Sequence, residues 1–198
     1  YLSEGYCCGT SNGEIRSHSS RFKVAICQTK KSDVLYKLKE CITNTNFTYT
    51  QNKNEFYIHS KELHSVLFHL GNSHQKHIPS YLLNAPNDLL TKLFFALIDG
   101  DGAYYKTHYT YYTASKKMCD SFTELALRLG FSVTIRIRTQ LKGIAKMPHG
   151  DFLKNDSITY EIITRNRKTQ ELRNGSGKKL INLKHYSGFV YCVSTEAG

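Results

Sequence analysis

Apolar positions along this chain switch between two spacings, and each switch marks a change of element. Phe22, Val24 and Ile26 alternate with Arg21, Lys23 and Ala25, which predicts a half-buried strand within Arg21–Gln28. Glu14–His18 reads as the strand before it, after the turn-rich run Gly9–Gly13. Ser32 then caps a helix to about Cys41, with Val34, Leu35, Leu38 and Cys41 on one face. Phe47–Thr50 and Glu55–His59 form a hairpin, and Ser60 caps a helix that turns Leu63, Val66, Leu67 and Leu70 inward before Gly71. After Pro79 and Pro86 a longer helix starts near Asn87.

The same order then returns. Tyr104–Lys106 and His108–Thr113 are short strands, Ser115–Leu129 is a helix stopped by Gly130, and Phe131–Thr139 and Ser157–Arg165 are strands. Arg167–Arg173 reads as a short helix, and Gln140–Asp156 as a long hairpin loop. The unit is helix, two strands, helix, two strands, helix, run twice. Its expected core includes Val24, Ile26, Leu97, Ile98, Leu125, Leu129, Val133 and Ile135.

One stretch breaks the ordinary rules of helix ending. Phe94–Gly102 is an apolar run closing on Asp99, Gly100, Asp101 and Gly102. Glycine is an ordinary stop, but carboxylates at the negative end of the macrodipole are disfavoured unless something compensates their charge. A bound cation is the obvious candidate. Leu2-Ser3-Glu4-Gly5 is a weaker copy of the same ending, which suggests a duplicated fold that brings Glu4 and Asp101 together.

These residues resemble the motif of the LAGLIDADG homing endonucleases, with Phe94–Gly102 as the second copy and Leu2–Gly5 as the tail of the first. The resemblance implies an α+β fold of two pseudo-symmetric αββαββα halves. Their saddle-like antiparallel sheets would pack at paired motif helices, in residues 1–86 and 87–184. The helix before Leu2 is almost wholly missing, so the chain reads as a fragment of a longer protein. The resemblance also implies a magnesium- or manganese-dependent, site-specific cleavage of double-stranded DNA, by a monomer with internal pseudo-two-fold symmetry. Glu4 and Asp101 would hold the metal, while Asp99 would face away from it. Lys76, in Lys76-His77-Ile78-Pro79, matches the family's lysine beside the metal water, and Lys178 or Lys179 takes that place in the second half. Gln28, with Thr113 or Ser115 opposite, resembles a polar residue near the metal.

Gly188–Glu196 is similar to a splicing-domain strand of inteins. Residues 185–198 would then begin that domain, and the endonuclease would sit inside an intein. The alternatives are a catalytically inactive DNA- or RNA-binding module of the same fold, maturase- or regulator-like, and a decayed intein insert.

Charge and strand chemistry agree with a polyanionic partner. The 198 residues carry 27 Lys and Arg against 16 Asp and Glu, a formal net charge of +11. One face of Phe131–Thr139 carries Arg136 and Arg138, and Ser157–Arg165 offers Thr159, Glu161 and Arg165. Arginine pairs with guanine and glutamate accepts from cytosine in a major groove. Arg21, Lys23, Lys106 and His108 offer a similar surface elsewhere. The six cysteines lack metal-site spacing and read as reduced thiols of an intracellular protein. No apolar stretch has the length of a membrane span.

Overall fold

A computed structural model describes residues 1–8, 10–11, 14–15, 22–28, 32–140, 156–166, 185 and 187–189. Tyr1–Lys168 forms one compact unit and Thr169–Gly198 a second. All elements below belong to the first.

The chain opens with a single helical turn, closed by the Gly5 N–H donating to the Tyr1 carbonyl at 2.9 Å. It passes straight into β1 (Gly5–Cys7), followed by the short strands β2 (Thr10–Ser11) and β3 (Glu14–Ile15), then β4 (Lys23–Cys27). Next come α1 (Ser32–Thr43), the hairpin β5 (Thr48–Asn52) and β6 (Glu55–His59), α2 (Lys61–Phe68) and one turn of α3 (Ser80–Leu83). The second half runs α4 (Asn87–Asp101), β7 (Gly102–Tyr104), β8 (Tyr109–Thr113), α5 (Lys116–Arg128), β9 (Ser132–Gln140) and β10 (Ser157–Arg165). Two four-stranded sheets result, ordered β1-β4-β6-β5 and β7-β8-β10-β9, with every pairing antiparallel. The identical order in both halves is the duplicated α+β architecture expected from the pattern. The expected helix Arg167–Arg173 and most of the loop Gln140–Asp156 lie outside the described residues.

The first strand of the first sheet differs from expectation. Glu14–Ile15 pairs with Thr10–Ser11, whereas Gly5–Cys7 takes the sheet edge beside β4. The chain is already extended when it leaves the helical turn, and three residues are too few to display a period. The second half does the same. The Gly102 N–H donates to the Ile98 carbonyl, and Gly102 then pairs with Tyr111 as the first residue of β7.

Each half builds its own core. In the second, α4 and α5 stack Phe94 on Phe122 and Phe131, and Tyr111 on Phe122, over Ile98, Leu125 and Ile162. The first is smaller, with Val24, Ile42, Phe56 and Ile58 beneath α1 and α2. Val24, Leu97, Ile98 and Leu125 are buried as expected; Ile26, Leu129 and Val133 are partly buried. Ile135 is not in the core, being 45% exposed. It shares the apolar face of β9 with Val133, but a nine-residue strand spans about 30 Å and the 13-residue α5 only about 20 Å, so the far end is uncovered. Ala25, expected on the polar face, is fully buried between its cross-strand neighbours Tyr6 and Tyr57. Val66 is exposed, because α2 instead turns in His64, whose Nε2 lies 3.2 Å from the Cys8 carbonyl. Cys41 is also exposed, and the inward place at that end of α1 belongs to Ile42.

Phe94 touches rings from α5, β8 and the start of β9. Phe94→Ala should therefore lower unfolding free energy by about 3–5 kcal/mol, read as a fall in the denaturant midpoint at unchanged slope.

Candidate functional site

Two glycines decide how α4 ends. A Cβ at Gly100 would stand 2.6 Å from Cβ and Oγ of Ser3, closer than real side-chain carbons approach. A Cβ at Gly102 would meet Ile98 Cα at 2.7 Å and the Thr110 carbonyl at 2.8 Å. Gly100 thus lets the turn Tyr1–Gly5 lie directly on α4, and Gly102 lets the chain bend at once into the sheet. Leu2 packs onto the second core while Tyr1 packs onto the first.

This contact brings the two motif carboxylates into one electrostatic neighbourhood. Burial pushes the Asp101 carboxyl above its ordinary 3.8, and the negative charge of Glu4 pushes it further, against a hydrogen bond from Ser3 and the positive charge of Lys76. Glu4 is exposed and lines an open groove of about 840 Å³ with Ser3 and Lys76. Asp101 lines a smaller cavity of about 300 Å³ with Ser3, Ser73, Lys76, Tyr111, Tyr112 and Thr159. Ser3 and Lys76 therefore stand between the acids and belong to both spaces.

Lys76 is 7% exposed. Its ammonium donates to the carbonyls of Gly5 at 2.7 Å, Tyr1 at 3.1 Å and Ser3 at 3.4 Å. Burial holds it below the ordinary lysine value, and Asp101 and Glu4 oppose that shift. Tyr111, which nothing in the sequence marked, is buried beside Asp101; burial first and then that charge raise its hydroxyl pKa, and it is hydrogen-bonded with Ser3.

The other motif acid points elsewhere. Asp99 accepts from Lys37 of α1 at 3.0 Å and from the Tyr104 hydroxyl at 2.7 Å. It lines a largely apolar cavity of about 550 Å³ between α1 and α4, with Gln28 and Glu4 at its end. Gln28 itself is buried at the end of β4. Ser115 is fully buried and engaged twice: its hydroxyl donates to the Lys76 carbonyl at 2.7 Å and accepts from the Met118 N–H at 3.1 Å as the cap of α5. Thr113 lines the Asp101 cavity.

Residues expected on a basic face divide into those the sheet assembles and those it does not. Arg136 stands opposite Glu161, and Arg138 opposite Thr159. The Arg138 guanidinium is tied to Glu161 at 2.9 Å, and Glu161 is buried beneath it. Thr159 and Tyr112 carry this face into the Asp101 cavity. Arg165 closes the far end of β10, paired with Ser132. Lys106 is exposed in the β7–β8 turn, where His108 stacks on Tyr105 at 4.5 Å. Lys23 lies on the other sheet, opposite His59. Arg21, Lys178 and Lys179 lie outside the described residues.

Residues 88–178 match the LAGLIDADG-like domain family. This segment is similar to a LAGLIDADG-like domain. It begins at the second residue of α4 and includes β7 to β10, so the motif helix, Asp101 and the Arg136–Arg138 strand all fall within it. No curated protein matches the chain. Similar solved structures include I-DmoI in complex with DNA and calcium, at 12% identity and a TM-score of 0.42 over 72% of this chain and 68% of that one. Another belongs to a set of mesophilic variants of the homing endonuclease I-DmoI, at 12% identity and a TM-score of 0.42 over 72% of each chain.

Among the described residues, no helix is long and apolar enough to cross a membrane, and no three His, Cys, Asp or Glu side chains gather into a metal cluster. A divalent cation held by Glu4 and Asp101 would have two hard carboxylates and water. Magnesium accepts such a set because it retains most of its hydration. The pairing of like charges at a helix end fits a cation in the same way.

The raised Asp101 carboxyl gives a signed prediction. A carboxyl raised in the folded state favours folding when protonated, and that contribution is lost as pH rises through its folded value. Asp101→Asn should therefore raise the Tm of the metal-free protein at neutral pH. The gain should shrink as pH falls towards 3.8, where the wild-type carboxyl is itself protonated.

Proposed function

We propose that this protein is a site-specific DNA endonuclease of the LAGLIDADG homing type, in which Glu4 and Asp101 hold a divalent cation, Mg2+ or Mn2+. The observation that carries this reading is the close seating of Ser3 on Gly100, which supports a pairing of Glu4 with Asp101 because the Glu4 charge reaches the Asp101 carboxyl. A divalent cation there supplies an activated water and charge stabilisation for phosphodiester hydrolysis. The chain's own part is to hold the two carboxylates and present a basic strand face leading into the Asp101 cavity. Arg136 and Arg138, with Lys23, Lys106 and His108, neutralise phosphates or meet base edges of duplex DNA. The net charge of +11 supports a polyanionic partner, and the internal repeat supports a monomer that acts on both strands. Lys178 or Lys179 remains the proposed second-half lysine. The likeness of Gly188–Glu196 to an intein strand supports an endonuclease nested in an intein, inside a cell.

Cleavage of a randomised duplex library in Mg2+ tests the reading. Asp101→Asn and Glu4→Gln should each abolish double-strand cleavage while duplex binding persists, and Asp99→Asn should reduce cleavage less. Cleavage by Asp101→Asn at the wild-type rate would replace the endonuclease reading with that of a binding module.

Affinity for non-specific duplex should fall by roughly 0.9 log units per log unit of salt for each phosphate neutralised. Removing Arg136 should flatten that slope by about one contact or relax sequence preference, as measured by fluorescence anisotropy across a salt series. Binding that ignores salt would contradict the strand-face argument.

A further inference from the structure

Lys76 occupies an unusual position for a residue meant to act on water or phosphate. Lysine has three donor protons and no acceptor. Among the described residues, all its partners within hydrogen-bonding distance are carbonyl oxygens of one short segment: Tyr1, Ser3 and Gly5. Its ammonium also lies 5.0 Å from the centre of the Tyr1 ring. The Tyr1 carbonyl accepts from the Gly5 N–H as well, so Lys76 and the backbone close the same turn. Glu4 sits in the middle of that turn, and its carbonyl accepts from the Cys27 N–H of β4 at 3.0 Å.

The backbone of Lys76 is anchored to the opposite half. Its carbonyl accepts from the buried Ser115 hydroxyl that caps α5. Two residues on, the Ile78 N–H donates to the Ser121 hydroxyl of α5 at 3.0 Å. One residue thus grips the Glu4 turn with its side chain and the Asp101 half with its main chain. The ends of a helical turn carry carbonyls without intrahelical partners, and a cation is the natural cap for them.

We propose that Lys76 is a positioning residue: it clamps the Tyr1–Gly5 turn to the second half and so sets Glu4 against Asp101, instead of acting directly on water or phosphate. The inference rests on the reading of Glu4 and Asp101 as the cation-holding pair. It reverses the sign that charge alone would give. Removing a positive charge beside two carboxylates should tighten cation binding by Coulomb's law. Removing a clamp should loosen it.

The test titrates Mn2+ into the 198-residue chain, with free ion followed by electron paramagnetic resonance, for wild type and Lys76→Met. Amide hydrogen exchange is measured on the same proteins. Lys76→Met should bind Mn2+ about tenfold more weakly, the usual scale for losing a group that orients a ligand. The Gly5 and Cys27 amides should exchange severalfold faster, while the Phe94 amide in the second core does not change. Equal or tighter Mn2+ binding, or unchanged exchange at Gly5 and Cys27, overturns the proposal. If wild type binds no Mn2+, the cation-pair reading fails, and exchange alone decides the clamp. If Lys76→Met does not fold, Lys76→Arg decides on both readouts. It keeps the charge but replaces a compact ammonium by a planar fork that cannot meet three converging carbonyls. Faster Gly5 exchange and weaker Mn2+ binding in Lys76→Arg support the clamp, and wild-type values overturn it.

Discussion

The structure depends on one close approach, the seating of Ser3 on Gly100. It needs a missing side chain on α4 and a small one on the turn, and it leaves no room for a methyl group between them. Everything near the candidate site follows from it. Asp101 comes under the influence of Glu4, the Ser3 hydroxyl reaches both Asp101 and Tyr111, and Leu2 gains a place in the second core. A contact of this kind has little hydrophobic area of its own, so its stability must come from its surroundings. The flanking apolar residues Tyr1 and Leu2, each docked on a different half, supply that support.

The electrostatics of the junction are in tension by construction. Asp101 ends a helix whose dipole disfavours it and feels the charge of Glu4, and a lysine is held in a space that penalises its charge. Removing water raises the energetic stakes of Asp101 and Lys76, and partners offset only part of the cost. The same groups tie the halves together: Lys76 through carbonyls, Ser115 through the α5 cap, and Lys37 through Asp99 across α1 and α4. Cohesion between the halves is therefore polar at the site and apolar away from it. That division keeps the carboxylates partly accessible without separating the cores.

The two sheets show how a repeated topology acquires different surfaces. In the second, long strands outrun the helix that covers them, and Arg136 and Arg138 project from the far part of β9. Arg138 is steadied by Glu161, and Arg136 faces the same residue across the strand pair. In the first sheet, Tyr6 and Tyr57 close over Ala25, and fewer charges stand out. The asymmetry lies in side chains, because strand order is the same in both.

Much of the architecture was legible in the chain. Alternation located β4, β9 and β10, a turn between two strands located β5 and β6, capping serines located α2 and α5, and the repeated carboxylate–glycine ending singled out Glu4 and Asp101. These features are local: a period, a cap or a stop is written in consecutive residues and works through nearest neighbours. Strand β1 escaped notice because three residues carry no period, and its place is decided by β4. The exposure of Ile135 and the burial of Ala25 escaped for a related reason. A strand's pattern says which residues share a face, but only the length of the opposing helix or the size of cross-strand neighbours says whether that face is covered. Tyr111 carried no signal, since its nearness to Asp101 arises from a sheet register. Lys76 carried a signal for place but not for its bonds. The sequence by itself determined which groups could meet at the junction. Only the tertiary structure decided that the ammonium faces three carbonyls, because those oxygens belong to every residue and converge only when a distant turn is folded against it.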